Sequence, residues 1–245
     1  MRLMKVSSFL AVAGLALAQA ASAGQAAPPK PPATGTDPAL LNPAQLNAKA
    51  PQDYKVKFTT TKGVIIVEVH RIWAPQGADR FYNLVKHHYY DQASFFRVLK
   101  SPRPFVAQFG INADPKVNAA WQTANIKDDT VNKSNARGTL TYAMAGPNTR
   151  TTQIFINLGD NKGLDGMGFA PFGEVVQGMN VVDSLYGDYG EGGAGGPDQG
   201  RIQAQGKAYL DKSFPKLDSI ITAVVMPGEG DATAPAKAPA KAPGR

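Results

Sequence analysis

Two short stretches carry the residue types best suited to chemistry. Phe95-Phe96-Arg97-Val98 sets an arginine among apolar neighbours. Ala143-Met144-Ala145-Gly146-Pro147-Asn148-Thr149, followed by Gln153-Ile154-Phe155-Ile156, adds a glutamine on a second apolar run, and Gln108 lies just beyond the first. A guanidinium is a donor only, whereas a carboxamide both donates and accepts. The chain has no cysteine. Its three histidines, His70, His87 and His88, lie close together in the chain, and the adjacent pair would point apart on a helix. A reaction that needs no nucleophile, no metal and no strong base fits what is left. Taken singly, each residue has a plainer reading. An arginine beside two phenylalanines commonly lays its stem over apolar surface, a strand glutamine commonly faces solvent, and phenylalanines are commonly core.

Short strands must position these side chains. Tyr54 to Thr60 alternates apolar and polar residues, Thr61-Lys62-Gly63 turns the chain, and Val64 to Val69 returns, so a hairpin is predicted. Pro75 suits a first helical turn, and Ala78, Phe81, Tyr82 and Val85 form one face of a helix ending near Lys86. Residues 95–99, 105–108, 138–143, 153–156, 171–176 and 217–225 read as further strands. Asn180 caps a second short helix through Tyr186, with Asp183 near its positive end. Many short strands with two helices fit an antiparallel barrel or a sandwich, and spacing alone does not separate them. Gly190-Glu191-Gly192-Gly193-Ala194-Gly195 matches the dinucleotide pattern G-x-G-x-x-G. It follows a predicted helix rather than a strand, and Gly196-Pro197 blocks a helix after it, so a flexible surface loop is expected.

The two stretches resemble the signature blocks of the cyclophilins, the barrel-shaped peptidyl-prolyl cis/trans isomerases. Gly163-Leu164-Asp165-Gly166 through Phe172-Gly173-Glu174-Val175 is similar to that family's third block, and Gly178-Met179-Asn180-Val181-Val182 to the start of its second helix. Trp73-Ala74-Pro75, His88-Tyr89-Tyr90-Asp91 and Phe169-Ala170-Pro171-Phe172-Gly173 resemble bacterial members. The resemblance implies a mainly β fold, a closed eight-stranded antiparallel barrel capped by two α-helices. It implies isomerisation of X-Pro bonds without a cofactor or metal. Arg97 then matches the catalytic arginine, with Phe105 and Gln108 beside it. Val106, Ala143, Met144, Gln153, Phe155, Leu164 and Phe169 match the groove that receives a proline-containing polypeptide.

The chain departs from the family pattern at four places. Lys100-Ser101-Pro102-Arg103-Pro104 is longer than the usual link, which opens the register between Arg97 and Phe105 and makes Arg103 a competing cation. Met144 replaces a common asparagine, Gly163 stands where a tryptophan often contributes to cyclosporin binding, and Phe169 replaces a histidine. Two other classes of function stay open: a proline-peptide binding module or holdase of the cell envelope with weak catalysis, and a tethered structural barrel.

The 245 residues allow one sizeable domain between atypical ends. Residues 1–23 read as a signal peptide: Arg2 and Lys5, then an apolar run from Phe9 to Ala18, then Ala21-Ser22-Ala23 before Gly24. That run is too short to cross a bilayer. Residues 24–52 are rich in Pro, Ala and Asn and read as an extended linker. Residues 53–226 form the expected barrel domain, and 227–245 a disordered Pro-Ala-Lys tail. A periplasmic or secreted monomer is expected. The formal charge is +7, but lysines and arginines are scattered, so nucleic acid is not an expected partner.

Overall fold

The computed structural model describes residues 36–227. The expected signal peptide, the first part of the expected linker and almost all of the tail lie outside the described residues. No helix among the described residues is long and apolar enough to cross a membrane.

The predicted hairpin forms from β1 (Asp53–Thr60) and β2 (Gly63–His70), paired from Asp53↔His70 to Thr60↔Gly63. Alternation sorts its faces, burying Tyr54, Val56 and Phe58 from one strand and Ile65, Val67 and Val69 from the other. Helix α1 (Pro75–Lys86) follows, with Pro75 in its first turn and Ala78, Phe81, Leu84 and Val85 buried. Its N-cap, Ala74, has no side-chain acceptor, and Asp129 does that work, accepting from the amides of Gln76 and Gly77 at 2.9 Å each. The remaining strands are β3 (Arg97–Val98), β4 (Val106–Phe109), β5 (Thr139–Tyr142), β6 (Ile154–Asn157), β7 (Pro171–Gln177) and β8 (Ile220–Val225). Helix α3 (Met179–Ser184) forms at the second predicted helix, but it ends at Ser184, its N-cap is Gly178 rather than Asn180, and Asp183 lies in its last turn. Two further helices, α2 (Pro115–Trp121) and α4 (Gln199–Ser213, kinked at Gly206), were not predicted, and they pack on each other.

All eight strands join one antiparallel sheet in the order β3-β4-β6-β5-β7-β2-β1-β8. The expected closure does not occur. The sheet curls into an open half-barrel, because β3 is two residues long and carries no ladder to β8. At that seam a single bridge, Ser94↔Ser219, is flanked by Phe95 N–H to Asp218 O (2.9 Å) and Ile220 N–H to Ala93 O (2.8 Å).

Two apolar clusters result. The large one lies inside the curled sheet, where Phe58, Phe81, Phe95, Phe109 and Phe172 meet at ring separations of 5.0–6.2 Å. The small one gathers Phe96 and Ile111 from the barrel side with Ile202, Tyr209 and Leu210 of α4, against Phe214 and Leu217.

The described part of 24–52 is packed rather than extended. Pro38–Leu41 and Pro43–Gln45 are 3-10 turns, the first capped by Asp37, which accepts from the amide of Ala39 at 2.9 Å. Leu40, Leu46 and Ala50 join the large core. The indole of Trp121 donates to Leu40 O (2.8 Å), Asn83 exchanges hydrogen bonds with Ala48 (3.0 and 2.7 Å), and Asp79 accepts from the amide of Ala50 (2.9 Å). Proline-rich composition hid three apolar residues that pack into the large core.

Candidate active site

Arg97 owes its direction to its neighbours. Phe95 and Val98 are spent on the large core and Phe96 on the small one, which leaves Arg97 to face the groove. Strand pairing then places partners by register. Arg97 lies opposite Gln108, and Gln108 opposite Phe155. The Arg97 Nη1 donates to Gln108 Oε1 at 3.1 Å, and Gln108 Nε2 donates to Gln153 Oε1 at 2.9 Å. Gln108 is buried, so this relay fixes the carboxamide that holds the guanidinium. The ring of Phe105 stands 5.8 Å from the Arg97 guanidinium carbon.

The long link does not displace this arrangement. Its ends are clamped by Leu99 N–H to Val106 O (2.9 Å) and Phe105 N–H to Leu99 O (2.8 Å), so the extra residues loop outward. Arg103 is exposed and does not line the groove.

The groove is a cleft of about 520 Å³. All ten residues singled out in the sequence line it: Arg97, Phe105, Val106, Gln108, Ala143, Met144, Gln153, Phe155, Leu164 and Phe169. Phe155 and Phe169 meet edge to face at 6.0 Å, forming with Phe105, Val106 and Leu164 an apolar recess beside Arg97. The far wall is a tight turn between β5 and β6. Thr149 Oγ1 accepts from the amides of Ala145 (2.9 Å) and Gly146 (3.0 Å) and donates to Gly146 O (2.7 Å). Leu164 rides on the 3-10 turn Lys162–Met167, which Asp165 ties to Ser134 (2.6 Å) and Asn135 (2.9 and 2.8 Å). Burial pushes the Asp165 carboxyl up, but those hydrogen bonds outweigh it and hold the group below its ordinary value.

The sequence did not point to Met167, Thr151 and Gln199 on the cleft wall, nor to Glu191, which holds Arg97 from outside the cleft. The Glu191 carboxylate accepts from Arg97 Nε (2.7 Å) and lies 2.5 Å from its Nη2. The Arg97 hydrogen bond holds this carboxyl below its usual range against the opposing effect of burial. A lone carboxylate inside a glycine run was the one visible signal. The expected surface loop thus makes direct contact with the site. Among the described residues no three His, Asp or Glu side chains converge as metal ligands would.

The family model for cyclophilin type peptidyl-prolyl cis-trans isomerase/CLD matches residues 55–202. Peptidyl-prolyl cis-trans isomerase B of Escherichia coli is 30% identical over 180 residues, covering 70% of this chain and 98% of that protein. A peptidyl-prolyl cis-trans isomerase of Acinetobacter baylyi is 34% identical over 152 residues, covering 60% of this chain and 79% of its own length. A Cryptosporidium parvum cyclophilin type peptidyl-prolyl cis-trans isomerase, solved in the presence of the dipeptide Ala-Pro, shares the fold with a TM-score of 0.52 at 20% identity, covering 71% of this chain and 99% of that one.

Proposed function

The chain belongs to the cyclophilin-type peptidyl-prolyl cis-trans isomerases, and on that premise we propose that Arg97 is the group that lowers the isomerisation barrier. Amide resonance sets that barrier at about 18–20 kcal/mol. At the transition state the C–N bond is twisted and the proline nitrogen carries a lone pair. A donor aimed at that lone pair stabilises the twisted state more than either planar one, which is the condition for catalysis. The proline ring would sit in the recess of Phe105, Phe155, Leu164 and Phe169. Gln108 keeps the guanidinium at the recess mouth, and Gln153 is placed to hold Gln108 or the peptide backbone. No proton enters or leaves overall. The observation that carries this reading is one permanent cation, held by a buried carboxamide at 3.1 Å, at the rim of an apolar cleft.

Exchange NMR on an X-Pro peptide tests it. Arg97→Ala should slow the catalysed exchange by about 100- to 1000-fold, by analogy with loss of one preorganised donor. Thermal melts should hardly move. Arg103→Ala should match the parent. Near-full activity in Arg97→Ala would overturn the assignment, and a parent that binds proline peptides without accelerating exchange would favour the binding module.

The clients are proposed to be exported chains met by a monomeric enzyme in the periplasm or outside the cell. Support comes from the short apolar segment and Ala21-Ser22-Ala23. Mass spectrometry of native protein should find a mature start near Gly24, and retention of Met1 would sink the export reading.

A further inference from the structure

Between α3 and β8 the chain makes a long excursion, residues 185–219, that builds its own small core behind the Arg97 strand. Tyr186 and Tyr189 stack edge to face at 5.0 Å, Tyr189 meets Phe214 at 5.0 Å, and Phe214 meets Tyr209 at 5.6 Å. Tyr209 and Ile202 pack in the same cluster as Phe96, the residue before Arg97. The glycine run leaves this aromatic base and returns to it in one compact shape. Gly196 N–H donates to Glu191 O at 3.0 Å. A Cβ at Gly196 would lie 2.7 Å from Tyr189 O, and one at Gly192 would lie 2.7 Å from Pro197 O, so close backbone approach excludes side chains at both. The excursion is therefore braced on both sides of Glu191.

The direction of the Glu191 contact matters. Glu191 does not line the cleft. It lines a separate depression of about 570 Å³ with Phe96, Gly192, Gly193 and Asp198, and among the described residues only Arg97 and Gln199 face both spaces. Gln108 takes Nη1, while Glu191 takes the Nε and Nη2 edge. A carboxylate seated across the cleft mouth would block a peptide; this one grips the guanidinium from outside the cleft.

We propose that Glu191 is a positioning residue: the 185–219 excursion holds its carboxylate against the Nε/Nη2 edge of Arg97, so that the guanidinium is fixed before substrate arrives. This rests on the reading of Arg97 as the catalytic group. A long arginine stem has many rotamers, and fixing it in advance spares that ordering at the transition state. Glu191 is 47% exposed and Arg97 23%, so solvent screening keeps the effect moderate.

The experiment compares Glu191→Ala and Glu191→Gln with the parent in the X-Pro exchange assay, with Arg97→Ala alongside. Removing both acceptors in Glu191→Ala should lower kcat about two- to fivefold with KM little changed, as expected for an exposed charge-assisted pair. Glu191→Gln, which keeps one acceptor, should fall between. The Arg97 Nε–H resonance should be a distinct, slowly exchanging peak in the parent and move to the free-arginine position in Glu191→Ala. Unchanged or raised kcat in Glu191→Ala, while Arg97→Ala is inactive, overturns the positioning role alone; a rise would mark the carboxylate as a brake. Activity retained in Arg97→Ala overturns the underlying assignment instead.

Discussion

The two apolar clusters are built on different plans. The large one is a sheet folded onto itself, in which Phe58 and Phe109, from strands far apart in sequence, meet edge to face, and Phe172 joins them through Phe81 of α1. The small one is a helix laid against two barrel residues, Phe96 and Ile111. Adjacent residues, Phe95 and Phe96, divide between them, and Arg97 follows with its side chain in neither. The difference teaches a separation of duties: the first cluster holds the fold, and the second holds the backbone from which the site's cation projects.

Substitutions that hollow each cluster put this division at risk. Phe109→Ala removes a fully buried ring in contact with Phe58, Tyr90 and Phe95, and should cost about 3–5 kcal/mol of stability in a urea melt. Its remaining folded fraction should turn over peptide normally. Ile202→Ala, in the small cluster, should cost about 2 kcal/mol, at the low end of such deletions, because fewer groups surround it. Here activity should drop even where the protein is fully folded, since Phe96 loses its support. If Ile202→Ala keeps full activity, or unfolds the chain as deeply as Phe109→Ala, the two clusters do not divide the work.

A smaller effect comes from a third contact, at the edge of the large cluster. Asp37 accepts a 2.7 Å hydrogen bond from His87, and this, helped by the amide of Ala39, holds its carboxyl below the ordinary 3.8. A carboxyl depressed on folding contributes stability above its unfolded value and loses it as pH falls through the folded one. Both side chains are about one-third exposed, so the contribution should stay under about 1 kcal/mol. Acid titration followed by Trp121 fluorescence should show the 36–50 segment loosening below the ordinary Asp range, and Asp37→Asn should remove that limb. A limb that persists in Asp37→Asn would assign the acid sensitivity elsewhere.

The ten cleft residues were legible because the blocks that carry the family resemblance are local in sequence; four of them, Arg97, Val106, Gln108 and Phe155, lie on strands whose pairing is set by register, and the other six lie on the turns between strands. Openness of the sheet was not, since alternation with period two is the same in an open and a closed sheet. Helix α2 carried readable signs, Asp114 as cap and Pro115 in the first turn, but spans only seven residues. In α4, Ile202, Tyr209 and Leu210 keep helical spacing, while Gly200 and Gly206 dilute the pattern. The partner of Glu191 was not legible for a simpler reason: 94 residues separate it from Arg97, and only the folded excursion brings them together.

The 36–50 segment has a consequence for the order of assembly. As the chain emerges from its N-terminus, this segment is made before everything it rests on: Asp79, Asn83, His87 and Trp121 all come later. What appears first must therefore dock late, waiting beside a growing barrel until more than seventy further residues have followed. During that interval Leu40 and Leu46 lack the neighbours that cover them in the folded chain, while Pro38 and Pro43 withhold two of the backbone N–H groups a sheet ladder would need.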